Sequence, residues 1–140
     1  MTNLKSQSGR SMVEMLGVLA IIGVLSIGGI AGYTMAMNRY KANELLNAAS
    51  MASVMALSAN GGKGIEDETD YSTLLPGAGD PAGVEDMKVT ITDGVATVTF
   101  TAPSTGVADA LESIATDLIA CIGDKADTAG TNCTYTSTSN

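Results

Sequence analysis

Residues that could do chemistry occur in three places along this chain. Glu14 lies at the edge of a long apolar run, four carboxylates lie together in EDETD at positions 66–70, and Cys121 and Cys133 are twelve positions apart. The 140 residues include no His. The lack of His removes the commonest general base and every Ser/His/Asp or Cys/His triad. An ordinary enzyme is therefore disfavoured, and no cofactor is expected.

The acidic composition restricts the possible partners. Seven basic residues against fifteen acidic ones give a net charge of −8 at pH 7. A protein that binds nucleic acid by neutralising phosphates carries the opposite balance, or at least a basic stripe. Direct binding of nucleic acid is therefore not expected. The length has room for one domain, or for one small domain with an appendage.

A membrane-like segment covers Met15–Asn38, where 24 consecutive residues carry no charge. As a helix they would extend about 36 Å, which is enough to cross a bilayer core of about 30 Å. A removable signal peptide has a shorter apolar region of about 7–15 residues. Lys5 and Arg10 precede the run and favour a cytoplasmic N-terminus, although two cations follow it closely, Arg39 and Lys41.

The helical pattern continues beyond this segment, because positions 39–60 contain no Pro or Gly. Apolar residues recur there at spacings of three and four, as in an amphipathic helix: Leu45, Ala48, Ala49, Ala52, Met55, Ala56 and Ala59. The sequence therefore predicts one continuous helix from about Ser11 to Asn60. Its first part, 10–38, is membrane-like, and the stripe on 39–60 should cover a globular head or a neighbouring subunit.

A β-hairpin is predicted at positions 87–101, where two β-branched runs flank Asp93-Gly94. This pair is preferred in type I′ hairpin turns. One face of the hairpin should pack on the long helix through its apolar positions, Val89, Ile91, Val95 and Val98. The opposite, Thr-rich face should meet solvent or another subunit.

A second helix is predicted from about Thr105 to Ile122. Its apolar positions recur every three or four residues: Val107, Leu111, Ile114, Leu118 and Ile122. Cys121 would lie beside this stripe, and Gly123 would end the helix. Positions 65–86 are typical of a loop, and CTYTSTS after the second helix is either a last short strand or a tail.

The cysteine pair is most simply explained by a disulfide, since the head is expected outside the cytoplasm. Closing a loop of about 15 residues is worth roughly 3 kcal/mol in the chain-entropy model. Two unrelated buried thiols are the alternative, and a metal site would need more ligands than two cysteines. The acidic cluster at 66–70 suits calcium by its oxygen ligands, but its spacing differs from an EF-hand, so a solvated loop is the default.

Glu14 is unusual because an ionisable side chain at membrane depth is costly and marks a functional site by default. It stands in SQSGRSMVE, five positions after Gly9 and directly before the apolar run. This order of short charged leader, glycine, glutamate and apolar helix resembles the precursors of type IV pilins. The resemblance is strongest over residues 1–60.

The resemblance implies that a prepilin peptidase removes residues 1–9 by cutting between Gly9 and Arg10. Arg10 would become the N-terminus, which is usually N-methylated in this family, although the family usually has Phe or Met at this position. Glu14 would be the fifth residue of the mature chain. In the family this carboxylate is thought to meet the N-terminal amine of the neighbouring subunit during assembly.

Glycines within the apolar segment suit close helix packing. Gly28 and Gly32 form a small-xxx-small pair, which lets helices approach closely in an apolar medium. Gly28-Gly29 also weakens the helix by about 1 kcal/mol per residue relative to Ala. Simple lipid-compatible filler is the alternative explanation for these glycines.

Together these features predict an α+β fold: a long N-terminal helix packed on a small antiparallel sheet, with a second helix and a C-terminal disulfide loop in a head at 61–140. The resemblance implies a structural subunit of a type IV pilus. It would start in the bacterial inner membrane and end in an extracellular filament, built by separate membrane machinery with its own ATPase. A pseudopilin of a type II secretion system and an anchored binding domain that never polymerises are the alternatives.

Overall fold

The computed structural model of the chain describes residues 8–59, 67–122 and 130–137, with side chains from Ser11 onward. The chain divides into two compact units, Met1–Ala36 and Met37–Asn140. The predicted leader residues 1–7 lie outside the described residues, as do Asn60, Glu66 of the acidic cluster and Gly123. The fold class is α+β, as predicted from the sequence.

Three helices and five strands make up the described fold. The helices are α1 at Ser8–Ser58, α2 at Tyr71–Leu74 and α3 at Thr105–Ile114, with a short 3-10 turn at Pro81–Gly83. The strands are β1 at Thr69–Asp70, β2 at Lys88–Thr92, β3 at Val95–Ala102, β4 at Ile119–Ile122 and β5 at Thr131–Thr136. They form one antiparallel sheet in the order β1-β2-β3-β5-β4.

The long helix α1 is confirmed, and it ends at Ser58. Every side chain from Ser11 to Ala36 is exposed to solvent in the absence of a membrane or partner. The helix is long and apolar enough to cross a membrane. A helix that is apolar all round is stable only when something other than water surrounds it.

The head unit has one hydrophobic core, to which α1 and the inner face of the sheet both contribute. From the predicted stripe of α1, five residues are buried: Leu45, Ala48, Ala49, Ala52 and Ala56. Ala42 extends the buried stripe by one turn toward the N-terminus. Met55 was wrongly assigned to this stripe, since 42% of it is exposed. It lies at the border of the buried face, where sequence spacing alone does not decide whether a residue is buried or exposed.

The hairpin of β2 and β3 is confirmed, and so is its turn. Asp93 and Gly94 both have positive φ, at 53° and 79°, as a type I′ turn requires. Val89, Ile91 and Val98 are buried as predicted. Val95 was wrongly placed on the inner face, because the two-residue turn puts Ala96, its neighbour, opposite Ile91.

The second helix is shorter than predicted, which is the main correction to the fold. It begins at an N-cap, where the Ser104 hydroxyl accepts a hydrogen bond from the Val107 N–H at 3.3 Å. It ends at Ile114, a turn follows at 115–118, and Ile119–Ile122, which were expected to continue the helix, form β4 instead. Pairing of β4 with β5 overrides the helical spacing. Two residues of the predicted stripe are exposed: Ile122, on β4, by 78%, and Ile114, the last residue of α3, by 40%.

The segment between α1 and β2 is more ordered than the loop predicted for it. Leu75 and Tyr71 close a short helical turn, with the Leu75 N–H donating to the Tyr71 carbonyl at 3.0 Å. The Glu44 carboxylate on α1 accepts a hydrogen bond from the Ala82 N–H at 2.9 Å. This bond satisfies a backbone donor at Ala82, whose φ of +52° is unfavourable for a residue with a side chain. The segment CTYTSTS, predicted as a strand or a tail, lies in the strand β5 as far as Thr136, and its residues 138 and 139 lie outside the described residues.

Replacing Gly94 by Ala should destabilise the head, because the left-handed conformation costs an L-residue about 1–2 kcal/mol. The predicted loss of unfolding free energy is of that size, measured by urea titration of the full chain in detergent with the sheet amide signals as reporter. Thr92→Ala, at an exposed end of β2, is the control. Equal stability of the two variants would show that the turn does not require glycine.

Candidate functional site

The candidate assembly surface is the exposed side of α1, and Glu14 is the only charged residue on it between Ser11 and Ala36. Two hydroxyl groups in the apolar segment, those of Ser26 and Thr34, are satisfied within the helix. The Ser26 hydroxyl donates to the Ile22 carbonyl at 2.8 Å, and the Thr34 hydroxyl donates to the Ala31 carbonyl at 2.9 Å. Such bonds to the preceding turn remove the cost of burying these donors in an apolar medium. Glu14 is the charged group of this segment, and in an apolar medium its carboxylate would need an external partner.

The predicted packing glycines lie on the open surface of the same segment. A methyl group added at Gly28, Gly29 or Gly32 would meet no other group within 4 Å. No contact within the described chain therefore requires glycine at these positions. Gly28 and Gly32 are four residues apart and share one face of the helix. Their lack of side chains leaves room for another helix.

Part of α1 in the head unit also carries uncovered apolar side chains. Met51, Val54 and Met55 are exposed by 54%, 63% and 42%. Spacings of three and four place them next to one another on α1, with Met51 and Val54 on the side away from the core and Met55 at the border of the buried face. From Leu45 to Ala59 the chain has no charged residue that would make this side of the helix favourable to expose to water. Exposed apolar patches of this kind mark interaction surfaces.

The predicted cleavage position falls at the start of α1. Gly9 and Arg10 belong to the helix, but their side chains are outside the described part of the chain. Processing and N-methylation at these residues stay predictions.

The disulfide is present and joins Cys121 to Cys133. The two residues lie directly opposite each other on β4 and β5, with their Cα atoms 4.0 Å apart. Cys133 is buried and Cys121 is partly buried. The bond closes a chain segment of which 123–129 lies outside the described residues. Because the bond joins β4 to β5, it fixes β4, a strand of four residues, to the rest of the sheet.

Glu112, on α3, is a residue that the sequence alone did not single out. The Glu112 carboxylate accepts a hydrogen bond from the Cys121 N–H at 3.1 Å. The sequence does hold one indication that Glu112 is unusual, because the helix dipole disfavours a carboxylate in the last turn of a helix. Its partner could not be inferred, because Cys121 was placed on the same helix.

The acidic cluster behaves as a surface feature. The Glu68 carboxylate lies 3.1 Å from the Lys88 ammonium, and both side chains are well exposed. The pKa of Lys88 is raised, first by the hydrogen bond to Glu68 and then by the carboxylate's charge. Among the described residues, no group of three His, Cys, Asp or Glu side chains is placed to hold a metal ion.

The outer face of the sheet is rich in threonine, as expected for the side away from the core. A shallow depression of about 350 Å³ on this side includes Asp86, Lys88, Thr99, Asn132 and Thr134 in its lining. Asp86 accepts hydrogen bonds from both the N–H and the hydroxyl of Thr101. These contacts tie the end of β3 to the preceding loop and give Asp86 a structural role.

Comparison of the chain with protein-family models, with curated proteins and with solved structures found no match in any of the three.

Removing the disulfide should lower the stability of the head. In the double variant Cys121→Ala, Cys133→Ala we expect a loss of about 3 kcal/mol, by the chain-entropy model for a loop near 15 residues. Urea unfolding of the full chain in detergent measures it, and reduction of the wild type with a thiol should give a similar loss. An unchanged unfolding free energy in both experiments would show that β4 holds its place without the bond.

Proposed function

We propose that this chain is a structural subunit of a type IV pilus, which polymerises through α1 after its leader is removed. The observation that carries the proposal is the uncovered apolar surface of α1. It occupies the whole described part of the first unit and reappears at Met51, Val54 and Met55 in the head unit. A membrane alone would cover the first of these surfaces. Helices of neighbouring subunits would cover both.

Assembly gives Glu14 a defined role. Cleavage after Gly9 creates a positive α-amine at Arg10, four residues before the carboxylate. Each charge is expensive when it is unpaired in an apolar medium. Pairing between neighbouring subunits would neutralise both charges. A shift in axial register would leave both unpaired, so the pair would also set the stagger between subunits.

Gly28, Gly29 and Gly32 would serve the same packing. Between apolar helices that leave lipid, association depends on close van der Waals contact rather than on the hydrophobic effect. The open surface at these glycines allows such contact, because a neighbouring helix can approach the backbone. The acidic head would face the outside of the filament.

The proposed partners follow from this role. A prepilin peptidase would remove the leader, other copies of the chain would form the filament, and membrane machinery with a separate ATPase would drive extraction from the inner membrane. The disulfide suits a head that works outside the cytoplasm.

Processing is tested by the intact mass of the protein sheared or extracted from its own cells. We expect a mass that lacks residues 1–9, with or without one methyl group, and that increases by two hydrogens on reduction. Electron microscopy of the same sheared fraction should show filaments. A full-length mass would contradict the proposal, because Glu14 would then have no new amine to pair with.

Replacing Glu14 by Gln should separate insertion from assembly. The amide keeps the size of the side chain but removes the charge that pairs with the amine. We expect the amount of sheared filament protein to fall by about tenfold or more, which corresponds to about 1.4 kcal/mol or more in assembly free energy. The amount of processed protein in the membrane should stay the same. Quantitative immunoblots of both fractions measure this.

Glu85→Gln is the matched control, since Glu85 is an exposed carboxylate of the head. It should give as many filaments as the wild type. Equal assembly of the Glu14 and Glu85 variants would refute the role of Glu14.

A further inference from the structure

The two edges of the sheet are protected in different ways. β1 has only two residues, and the chain turns directly into α2 at Tyr71. Such a short edge offers little for another strand to pair with. β4 has four residues, and it forms the opposite edge of the sheet. Its sequence, Ile-Ala-Cys-Ile, has no charge and no Pro, and Ile122 is largely exposed. These properties make an edge strand prone to pair with another chain.

The outward-facing N–H groups of β4 are nevertheless occupied. In an antiparallel strand, alternate residues direct their N–H groups toward the same side. Ile119 donates to the carbonyl of Ala115 at 2.9 Å, and Cys121 donates to the carboxylate of Glu112 at 3.1 Å. Both acceptors come from the end of α3 and the residue that follows it. The first bond belongs to the backbone turn, whereas the second depends on one side chain.

We propose that Glu112 closes the β4 edge against β-strand pairing with a second copy of this chain. The carboxylate occupies the Cys121 N–H that an added strand would need for its ladder. Glu112 lies in the last turn of α3, where the helix dipole disfavours a carboxylate. The contact with Cys121 explains why an acidic residue is suited to this position.

The expected partner is a second copy because the β4 edge is its own complement. Two antiparallel copies of a short apolar strand pair with matching side chains on both faces. The inference does not depend on the proposed function, since strand pairing through β4 and packing through α1 involve different surfaces.

The test compares Glu112→Ala with Glu112→Gln in the full chain in detergent micelles. Glutamine keeps an oxygen that accepts the Cys121 N–H, whereas alanine does not. Asp117→Ala is the control, because Asp117 is an exposed carboxylate between α3 and β4. Amide hydrogen exchange is followed by NMR at low and at high protein concentration.

At low concentration the Cys121 amide of Glu112→Ala should exchange at least about tenfold faster than in the wild type. The Ile119 amide and those of α3 should be unchanged, which distinguishes an opened edge from an unfolded helix. At high concentration the Cys121 amide should become protected again as strands pair. Glu112→Gln and Asp117→Ala should behave like the wild type at both concentrations.

The proposal is overturned if Cys121 stays protected in Glu112→Ala at low concentration. It is equally overturned if Ile119 and α3 open together with Cys121, or if exchange at Cys121 does not depend on concentration. Filament assembly by the wild type is a separate measurement, so failure here leaves the pilus proposal standing.

Discussion

The apolar surface that α1 leaves uncovered is the constraint on which the rest of this molecule depends. The head covers one stripe of the helix, from Ala42 to Ala56. That stripe consists mostly of alanine, and it is buried in the same core as the inner face of the sheet. The opposite side has no such partner within the described chain, and neither has any side of the segment before Met37. A helix of this composition is stable only where lipid or other protein replaces water.

Local patterns in the sequence predicted the parts of the fold that depend on local interactions. The length of α1 follows from the lack of Pro and the apolar repeat, and the hairpin follows from Asp93-Gly94 between β-branched runs. β4 could not be predicted in this way. Val107, Leu111 and Leu118 fit a helical repeat, and a strand at Ile119 arises only because β5, more than ten residues later, is available to pair with it. Non-local pairing of this kind leaves no periodicity in a strand of four residues.

The residues of the candidate site differ in the same way, since some depend on local spacing and others on non-local pairing. Glu14 and the glycines of α1 could be found from the sequence, because their significance lies in their spacing along one helix. The cysteines could be paired because only two are present. Glu112 could not be found, because its significance depends on the position of β4, and the charge of −8 makes any single carboxylate inconspicuous.

A protein that associates through one surface must be prevented from associating through its other surfaces, such as unpaired sheet edges. On this chain the apolar side of α1 is uncovered, whereas the edge strand β1 has only two residues and the outward N–H groups of β4 are occupied by hydrogen bonds. The disulfide contributes to the same division, because it holds β4 in the register that brings the Cys121 N–H to Glu112. Without that register the edge donor and its acceptor would separate, and β4 would be free to pair elsewhere. In the proposed assembly, the order of dependence would therefore run from the disulfide to β4, from β4 to the closed edge, and from the closed edge to association through α1 alone.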